Sequence, residues 1–308
     1  MALSILPTGA SGFIGSHILQ ALISKKYTVF TISRTQLSAS LPEKNKFVGN
    51  FFDPDILDQM PDNIGCIIHC AAIRGEKTTD ELEYQNVNVN GTRALLDYAK
   101  ECGIPRFLYI STVGVLGTIP NPQPASIQNQ PNPDGKYHQS KWRAEELVRQ
   151  YQSSKLNTLI LRPTITYGMG DNGFITKMIE LIRRKRFVFP VKEKYVHLLC
   201  VEGLARLITD ILKNDLFNNR TYIVADKEPI SLRSLVDIFS NQIFNRSYPS
   251  YLYWPDTIFR FSKTFFRLIK NHQLLISLRL ITENWIYDIT DTIRDLGYKP
   301  LNTFDEIK

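Results

Sequence analysis

Two side chains four residues apart carry the clearest sign of chemistry in this sequence. Tyr137 and Lys141 lie in a helical pattern over Lys136–Tyr151, so the phenol and the ammonium share one helix face, one turn apart. A nearby cation stabilises a phenolate and lowers a phenol pKa that is otherwise about 10. Tyr137 is therefore predicted to act as an acid or base near neutral pH. The same spacing also occurs in ordinary amphipathic helices, so the pair needs a binding site around it.

A glycine-rich turn near the start of the chain has the composition of a phosphate-binding loop. Residues 8–15 read TGASGFIG, follow a short strand-like run and open a helical pattern. Gly9 permits a tight turn, Gly12 lets the backbone approach a pyrophosphate, and Gly15 lets helix and strand pack closely. The helix N-terminus adds free N–H groups and the positive end of a dipole. The turn is predicted to bind a dinucleotide through Gly9, Ser11, Gly12, Phe13, Ile14 and Gly15.

The end of the second predicted strand discriminates between the two nicotinamide dinucleotides. Residues Tyr27–Ile32 are β-branched and aromatic, which favours a strand, and Ser33 and Arg34 follow them. An acid at this position bonds a ribose 2′-hydroxyl, whereas a cation accepts a 2′-phosphate. Ser33 stands in the place of the acid, so NADP(H) is predicted over NAD(H). NAD(H) is the alternative if Arg34 is only a surface residue.

Strands and helices alternate along the first half of the chain. Strand patterns at Lys46–Asn50, Cys66–Ala72 and Arg106–Ile110 are separated by helical patterns at Asp53–Met60 and Glu83–Cys102. Such alternation predicts a parallel sheet with helices on both faces, and ligands bind these sheets at the carboxyl ends of the strands. The residues predicted at that edge are Thr8, Ser33, Ala71 and Thr112.

Smaller features of the chain complete this picture. Ala71 and Ala72 are small enough for a loop to pass close to cofactor phosphates, although small residues also end strands without any ligand. His69, just before them, is predicted to be a packed core histidine rather than a base. A sixth strand pattern is expected to stop at Leu161, because Pro163 cannot donate to a sheet ladder.

The segment Asp256–Lys270 is predicted to be a strongly amphipathic helix. Its apolar residues share one face and its cations the other. The pattern favours a lid helix packed on its own domain with a solvated basic face, and contact with an anionic membrane surface is the alternative.

The composition limits the classes of protein to which the chain can belong. The 308 residues are 43% hydrophobic and 22% charged, enough for a full globular core. Four cysteines without a C-x-x-C pair, and no charged-then-apolar leader, point to reduced thiols and the cytoplasm. No run is long enough to span a membrane, no histidine spacing predicts a metal, and the net charge of +7 comes without a nucleic-acid-binding motif. A small-molecule substrate is the expected partner, and a homodimer is left open.

Taken together, these motifs resemble the extended short-chain dehydrogenase/reductase family, the NAD(P)-dependent epimerase/dehydratase group. The resemblance covers nearly the whole chain and rests on residues 8–15, Ser111-Thr112, Tyr137-His138-Gln139-Ser140-Lys141 and Arg162-Pro163-Thr164-Ile165-Thr166-Tyr167-Gly168. It implies an α/β, Rossmann-type doubly wound parallel sheet over residues 1–165, completed by 198–226. It also implies a smaller, mostly helical substrate-binding lobe from residues 166–197 and 227–308.

The resemblance also implies roles for individual residues. Tyr137 would exchange a proton with the substrate oxygen, and Lys141 would bind the nicotinamide ribose and lower the tyrosine pKa. Thr112 would hold the substrate oxygen by a hydrogen bond, with Ser111 as the neighbouring candidate. The further cofactor-contacting residues implied are Asn50, Phe51, Cys70, Ala71, Ala72, Asn88, Pro163 and Thr164.

Departures from the family pattern narrow the range of reactions that the resemblance implies. Thr112 is followed by Val113 and Gly114 rather than the two acids of the dehydratases, which argues against a 4,6-dehydratase. Asn50 replaces a frequent aspartate, but its amide oxygen can still accept a hydrogen bond from adenine. The first hypothesis is an NADP-dependent reductase of a carbonyl on a nucleotide-linked sugar in polysaccharide biosynthesis. Epimerisation through a transient ketone, reduction of an apolar ketone, and a non-catalytic cofactor-binding scaffold are the alternatives.

Overall fold

The structure is a computed structural model that describes residues 3–74, 80–269 and 272–307. Its strands in chain order are β1 Ser4–Thr8, β2 Thr28–Val29, β3 Thr31–Ser33, β4 Lys46–Val48, β5 Ile64–His69, β6 Arg106–Ile110, β7 Asn157–Pro163, β8 Ile165–Tyr167, β9 Phe189–Pro190, β10 Tyr195–Val196, β11 Leu198–Cys200, β12 Arg220–Val224, β13 Ile230–Ser231 and β14 Tyr253–Trp254. Its α-helices are α1 Phe13–Ser24, α2 Pro54–Leu57, α3 Glu81–Tyr84, α4 Gly91–Glu101, α5 Lys136–Gln150, α6 Phe174–Arg183, α7 Val201–Asn214, α8 Leu232–Phe244, α9 Asp256–Leu268, α10 His272–Thr282, α11 Thr290–Leu296 and α12 Thr303–Ile307.

A parallel sheet organises the molecule. Its strands follow the order β12-β7-β6-β5-β1-β3-β4, and β2 also pairs with β1. The apolar side chains alternate between two buried cores, so that Leu108 of β6 packs on one face and Phe107 on the other. Helices α1 and α7 cover the first face and α4 and α5 cover the second. The predicted Rossmann-type fold with a helical C-terminal region is confirmed.

Several predicted elements differ from the structure. The strand expected over Tyr27–Ile32 is divided into β2 and β3, and the helix expected over Asp53–Met60 covers only Pro54–Leu57. The helix expected over Glu83–Cys102 is divided into α3, a π-helical segment Gln85–Asn90 and α4. Strand β7 continues to Pro163 instead of stopping at Leu161. Pairing with β6 ends at Leu161, so beyond that point β7 has a strand on one side only, β12. A proline is tolerated there because one edge of the strand requires no donor.

The amphipathic helix near the C-terminus packs on its domain through the side that carries Phe259, and not through the predicted apolar face. Phe259 of α9 is buried, whereas Phe261, Phe265 and Leu268 are exposed. The apolar face expected to pack is exposed at all five of its residues, Ile258, Phe261, Phe265, Leu268 and Ile269, so the lid-helix expectation is wrong for that face. Lys270, the predicted last residue, lies outside the described residues. Among the helices that the structure describes, none is long and apolar enough to cross a membrane.

A buried ion pair attaches α5 to the sheet. Arg162 of β7 donates to both carboxylate oxygens of Glu145 at 2.9 and 2.8 Å, and both side chains are almost fully buried. Arg149 donates a further bond of 2.6 Å to the same carboxylate. Burial opposes ionisation of Glu145, but the two guanidinium groups outweigh it and keep its pKa below the usual range. The spacing of four that joins Tyr137 and Lys141 continues to Glu145, so the ion pair anchors the face that carries the candidate residues.

Removing the charge of Glu145 is expected to destabilise the protein strongly. Glu145→Gln leaves the Arg162 guanidinium buried without its counter-charge, which costs about 3 kcal/mol of unfolding free energy. Glu146→Gln is the matched control, because Glu146 is the exposed neighbour on the same helix and its loss changes stability by less than about 0.5 kcal/mol. Urea denaturation at neutral pH measures both.

The effect depends on pH in a defined direction. Because the folded-state pKa of Glu145 is depressed, the ion pair contributes its full stability above the unfolded pKa of about 4.3. That contribution disappears as the pH falls through the folded pKa, so wild type and Glu145→Gln should converge in acid. Equal stability of the two at neutral pH would contradict the anchoring role.

Candidate functional site

The glycine-rich turn lies between β1 and α1. A side chain at Gly9 or Gly15 would collide with neighbouring backbone atoms. Gly9 has φ +74°, and its carbonyl accepts a 2.9 Å bond from the Gly12 N–H. A Cβ at Gly9 would lie 2.7 Å from the Ala71 nitrogen, and one at Gly15 only 2.0 Å from the Gly9 oxygen. Ser11 and Gly12 are exposed, and Phe13 and Ile14 are half-buried. The close approach of the turn to the end of β5 leaves its outer face open to a ligand.

His69 connects the turn to the helical layer. Its two ring nitrogens lie 2.7 Å from the Thr8 hydroxyl and 2.9 Å from the Thr92 hydroxyl, and the ring is fully buried. Burial lowers its pKa well below the ordinary value, so the imidazole is neutral. The Thr8 hydroxyl also accepts a bond from the Ala71 N–H at 3.3 Å. His69 is a packed core residue, as predicted.

The carboxyl ends of β3 and β4 lie at the same edge of the sheet as the glycine-rich turn. Ser33 is buried and donates its hydroxyl to the Thr35 carbonyl, while Arg34 is exposed. Asn50 is exposed two residues beyond β4, and Phe51 is half-buried with its ring 5.2 Å from that of His69. The two residues predicted to discriminate between the dinucleotides thus lie at the same sheet edge as the turn, with the Arg34 side chain open to solvent.

Asn88 joins the end of β5 to α5. Its amide oxygen accepts from the Ile73 N–H at 2.8 Å, and its amide nitrogen donates to the Ile73 carbonyl and to the Ser140 hydroxyl at 3.0 and 2.9 Å. Ser140 donates in turn to the Tyr137 carbonyl. The half-buried segment Cys70–Ala72 is held beside α5 by these bonds. Asn88 therefore holds the loop after β5 and the candidate tyrosine together.

The structure corrects the expected pKa of Tyr137. Burial raises it to about 12, while Arg74 acts in the opposite direction. The Lys141 ammonium donates a 2.7 Å bond to the Ile110 carbonyl and lies 4.1 Å from the centre of the Tyr109 ring. Burial lowers the pKa of Lys141 to about 8. The sequence predicts a lowered tyrosine pKa, but the ammonium is directed at a backbone carbonyl and burial of the phenol dominates.

Ser111 and Thr112 differ in exposure. Ser111 is buried, and its hydroxyl has no hydrogen-bond partner among the described residues. Thr112 is half-buried, and its hydroxyl accepts a 3.1 Å bond from the Gly114 N–H. Both hydroxyls can donate to a ligand, so the order of the two candidates stays a prediction.

Pro163 and Thr164 lie where β7 leaves the sheet. The Thr164 N–H donates to the Val224 carbonyl at 3.0 Å. Its hydroxyl is buried and has no hydrogen-bond partner among the described residues. An unsatisfied buried hydroxyl is costly, so a bound polar group would stabilise this position.

A cleft of about 280 Å³ brings several of these residues together. It is lined by Phe13, Ile14, Ser111, Thr112, Tyr137, Pro163 and Thr164, with Phe174, Ile276, Leu280, Trp285 and Tyr287 from the later part of the chain. The other predicted site residues, among them Asn88, Lys141 and Arg34, do not line it.

Sequence reasoning missed two basic side chains in this cleft. Arg74 lines it, lowers the pKa of Tyr137 and donates a 3.1 Å bond to the Asn172 side chain. His138 lines it too, with a ring nitrogen 3.0 Å from Asp134. The spacing of four between Asp134 and His138 was a usable signal, whereas Arg74 belongs to no motif.

Comparison with known proteins identifies the family. A family model described as NAD dependent epimerase/dehydratase family matches residues 5–225. The chain belongs to this family. Membership supports an NAD-dependent oxidoreductase or epimerase activity.

Relatives of this epimerase/dehydratase family member act on different molecules. The N-acetyl-alpha-D-glucosaminyl-diphospho-ditrans,octacis-undecaprenol 4-epimerase of Escherichia coli O157:H7 is 27% identical, over 80% of this chain and 74% of that protein. A 4-hydroxy-2-methyl-3-oxo-4-farnesyl-3,4-dihydroquinoline-1-oxide ketoreductase of Stigmatella aurantiaca is 26% identical, over 75% of this chain and 70% of that protein. The crystal structure of a UDP-glucuronic acid 4-epimerase from Bacillus cereus in complex with NAD has a TM-score of 0.74 at 21% identity, covering 99% and 98% of the two chains, and shares the fold.

The residues present fit a nicotinamide dinucleotide. The turn at Gly9 and Gly15 has no room for a side chain, as close contact with a pyrophosphate requires. The unpaired Thr164 hydroxyl lies in the same cleft as Tyr137. These two observations are the ones on which a dinucleotide site is proposed below.

Gly9→Ala is expected to weaken nucleotide binding by more than the strain of placing alanine in a left-handed backbone conformation would account for. Gly297 is the matched control, because it also has a positive φ, +60°, but nothing lies within 4 Å of the position that a Cβ would take there. Both variants should lose about 1 to 2 kcal/mol of stability from the left-handed conformation. Only Gly9→Ala also collides with the Ala71 backbone, so its NADPH affinity should fall at least about tenfold, measured by fluorescence titration. Equal NADPH affinity in both variants would contradict binding at this turn.

Proposed function

We propose that this protein transfers hydride between NADP(H) and a carbonyl carbon of a nucleotide-linked sugar in polysaccharide biosynthesis. The observation that supports this most is the shared cleft, in which Tyr137, Thr112 and Thr164 lie beside the glycine-rich turn. Residues 166–197 and 227–308 form the substrate-binding lobe in this proposal. They supply the apolar wall of the cleft, including Phe174, Ile276 and Trp285.

Each candidate residue has a defined task in the proposed reduction. The cofactor supplies the hydride when it is bound. The Thr112 hydroxyl donates to the substrate oxygen, and Tyr137 gives that oxygen its proton as the carbonyl is reduced. Since burial raises the pKa of Tyr137 to about 12, the phenol carries this proton throughout the neutral range. Lys141 is a buried residue of α5 with its ammonium at the carboxyl end of β6, where it can bind a ribose hydroxyl.

The preference for NADP(H) rests on the end of β3. No carboxylate follows β3 directly, and the exposed Arg34 can pair with a 2′-phosphate. NADPH is consumed in net reductions, which favours a reductase over an enzyme that retains one NAD through both half-reactions.

Epimerisation through a transient ketone is the second candidate. The Escherichia coli relative is a 4-epimerase of a diphospho-undecaprenol-linked sugar, and the same Tyr137 and Thr112 could serve both half-reactions. Turnover without net NADPH consumption, with cofactor that co-purifies, would favour this candidate.

Tyr137→Phe is expected to abolish turnover while cofactor binding persists. Loss of a general acid lowers kcat by at least about a hundredfold. Tyr151→Phe, at the end of the same helix, is the control and should retain wild-type kcat. Wild-type reduction should be nearly independent of pH in the neutral range, because Tyr137 remains protonated. The rate of the reverse reaction, oxidation of the alcohol, should rise with pH because it needs the Tyr137 phenolate as its base.

A panel of UDP- and dTDP-linked keto sugars, followed at the NADPH absorbance, measures these rates. Unchanged kcat in Tyr137→Phe would contradict the proposed acid. A cellular phenotype that survives Tyr137→Phe unchanged would favour the non-catalytic scaffold.

Arg34→Ala is expected to reduce NADPH affinity by at least about tenfold and to leave NADH affinity unchanged. A tenfold loss corresponds to the free energy that a hydrogen bond between charged groups contributes. Lys25→Ala removes an equally exposed cation after α1 and should change neither. Fluorescence titration of each variant with both cofactors tests this. Equal affinity of the wild type for NADPH and NADH would overturn the cofactor preference.

A further inference from the structure

An exposed apolar stripe runs along α9. Phe261, Phe265 and Leu268 follow one another at spacings of four and three residues, which places them on one helix face. Their side chains are 77%, 57% and 75% exposed. Three large apolar side chains therefore remain in water on one helix face. Contiguous exposed apolar patches of this kind mark interaction sites.

Packing against the protein does not account for this stripe. Phe259, on the inner side of α9, is 5% exposed and Phe266 lines an apolar cleft of about 430 Å³ between α6, α9 and α10. The inner residues therefore already provide the contacts that attach α9 to its domain. The outer stripe could be polar without any loss of these contacts.

Cations border the stripe. Arg260 and Arg267 are exposed on α9 and form no ion pair with any residue that the structure describes. Arg183 and Arg186, at the end of α6, are exposed as well, and Arg186 lines the same cleft as Phe266. This arrangement of aromatic and aliphatic residues beside arginines matches the composition of helices that lie in a membrane interface.

Aromatic residues continue the surface beyond the start of α9. Tyr251 is 69% exposed and Trp254 is 41% exposed, and Trp254 lines the cleft beneath the helix. Tyrosine and tryptophan favour the boundary between lipid headgroups and acyl chains, because one end of each ring system is apolar and the other is polar.

We propose that this face of α9 docks on an anionic phospholipid bilayer, with the helix axis in the plane of the interface. Phe261, Phe265 and Leu268 enter the acyl boundary, and Arg260, Arg267 and the arginines of α6 contact the headgroups. A second copy of the chain is a poorer partner, because face-to-face pairing would bring these cations together without neutralising them. The proposal does not depend on the substrate or cofactor of the candidate site.

Flotation with phosphatidylcholine vesicles, with and without phosphatidylglycerol, tests the docking. The full-length wild type should float with the anionic vesicles only, and less at high salt. The triple variant Phe261→Ser/Phe265→Ser/Leu268→Ser should bind at least about tenfold more weakly. Leu82→Ser, which removes a side chain that is 70% exposed on α3, is the matched control and should float like the wild type.

A second pair of variants isolates the electrostatic contribution. Arg260→Gln/Arg267→Gln should weaken binding by about fivefold for each cation removed, the factor that corresponds to about 1 kcal/mol. Lys155→Gln/Lys213→Gln, exposed elsewhere, has the same net charge change and should bind like the wild type. Circular dichroism melts establish that all variants are folded.

Three results would overturn the proposal. The first is a wild type that floats with neither vesicle, and the second is equal flotation of the wild type and the triple variant. The third is a dimer, seen by light scattering without lipid, that the triple variant dissociates, because the stripe would then be an interface between two copies of the chain.

Discussion

The buried ion pair between Glu145 and Arg162 is the constraint on which the candidate site depends. It joins α5, which carries Tyr137 and Lys141, to β7, which ends in Pro163. Two charges removed from water are costly unless their geometry is good, so this pair tolerates little displacement of the helix along the strand. The attachment holds α5 against the end of β7, where Thr164 follows.

Polar networks of the same kind hold the remaining parts of the site. His69 connects Thr8 to Thr92, and Asn88 connects Ile73 to Ser140. Each network uses a buried side chain whose hydrogen bonds are made inside the protein, where an unmade bond is expensive. The open edge of the sheet can therefore present glycines and hydroxyls to a ligand without losing its shape.

The C-terminal helices connect two surfaces of the molecule. One side of α10 contributes Ile276 and Leu280 to the candidate site, and its other side contributes Leu274 and Leu278 to the apolar cleft beneath α9. Helix α10 therefore lies between the candidate site and the apolar cleft beneath α9. If α9 lies on a membrane, the cleft that holds Tyr137 is close to it.

The sequence by itself determined the alternating α/β architecture, the glycine-rich turn, and the residue types of the site, because hydrophobic periodicity and glycine spacing are local properties. The same local rules predicted too early an end to β7, since they could not show that its edge beside Pro163 is open. Only the tertiary structure decided that burial raises the pKa of Tyr137, that Arg74 and His138 enter the cleft, and that Phe261, Phe265 and Leu268 remain exposed. Burial and pairing between distant segments depend on the packing of the whole chain, which no short stretch of sequence encodes.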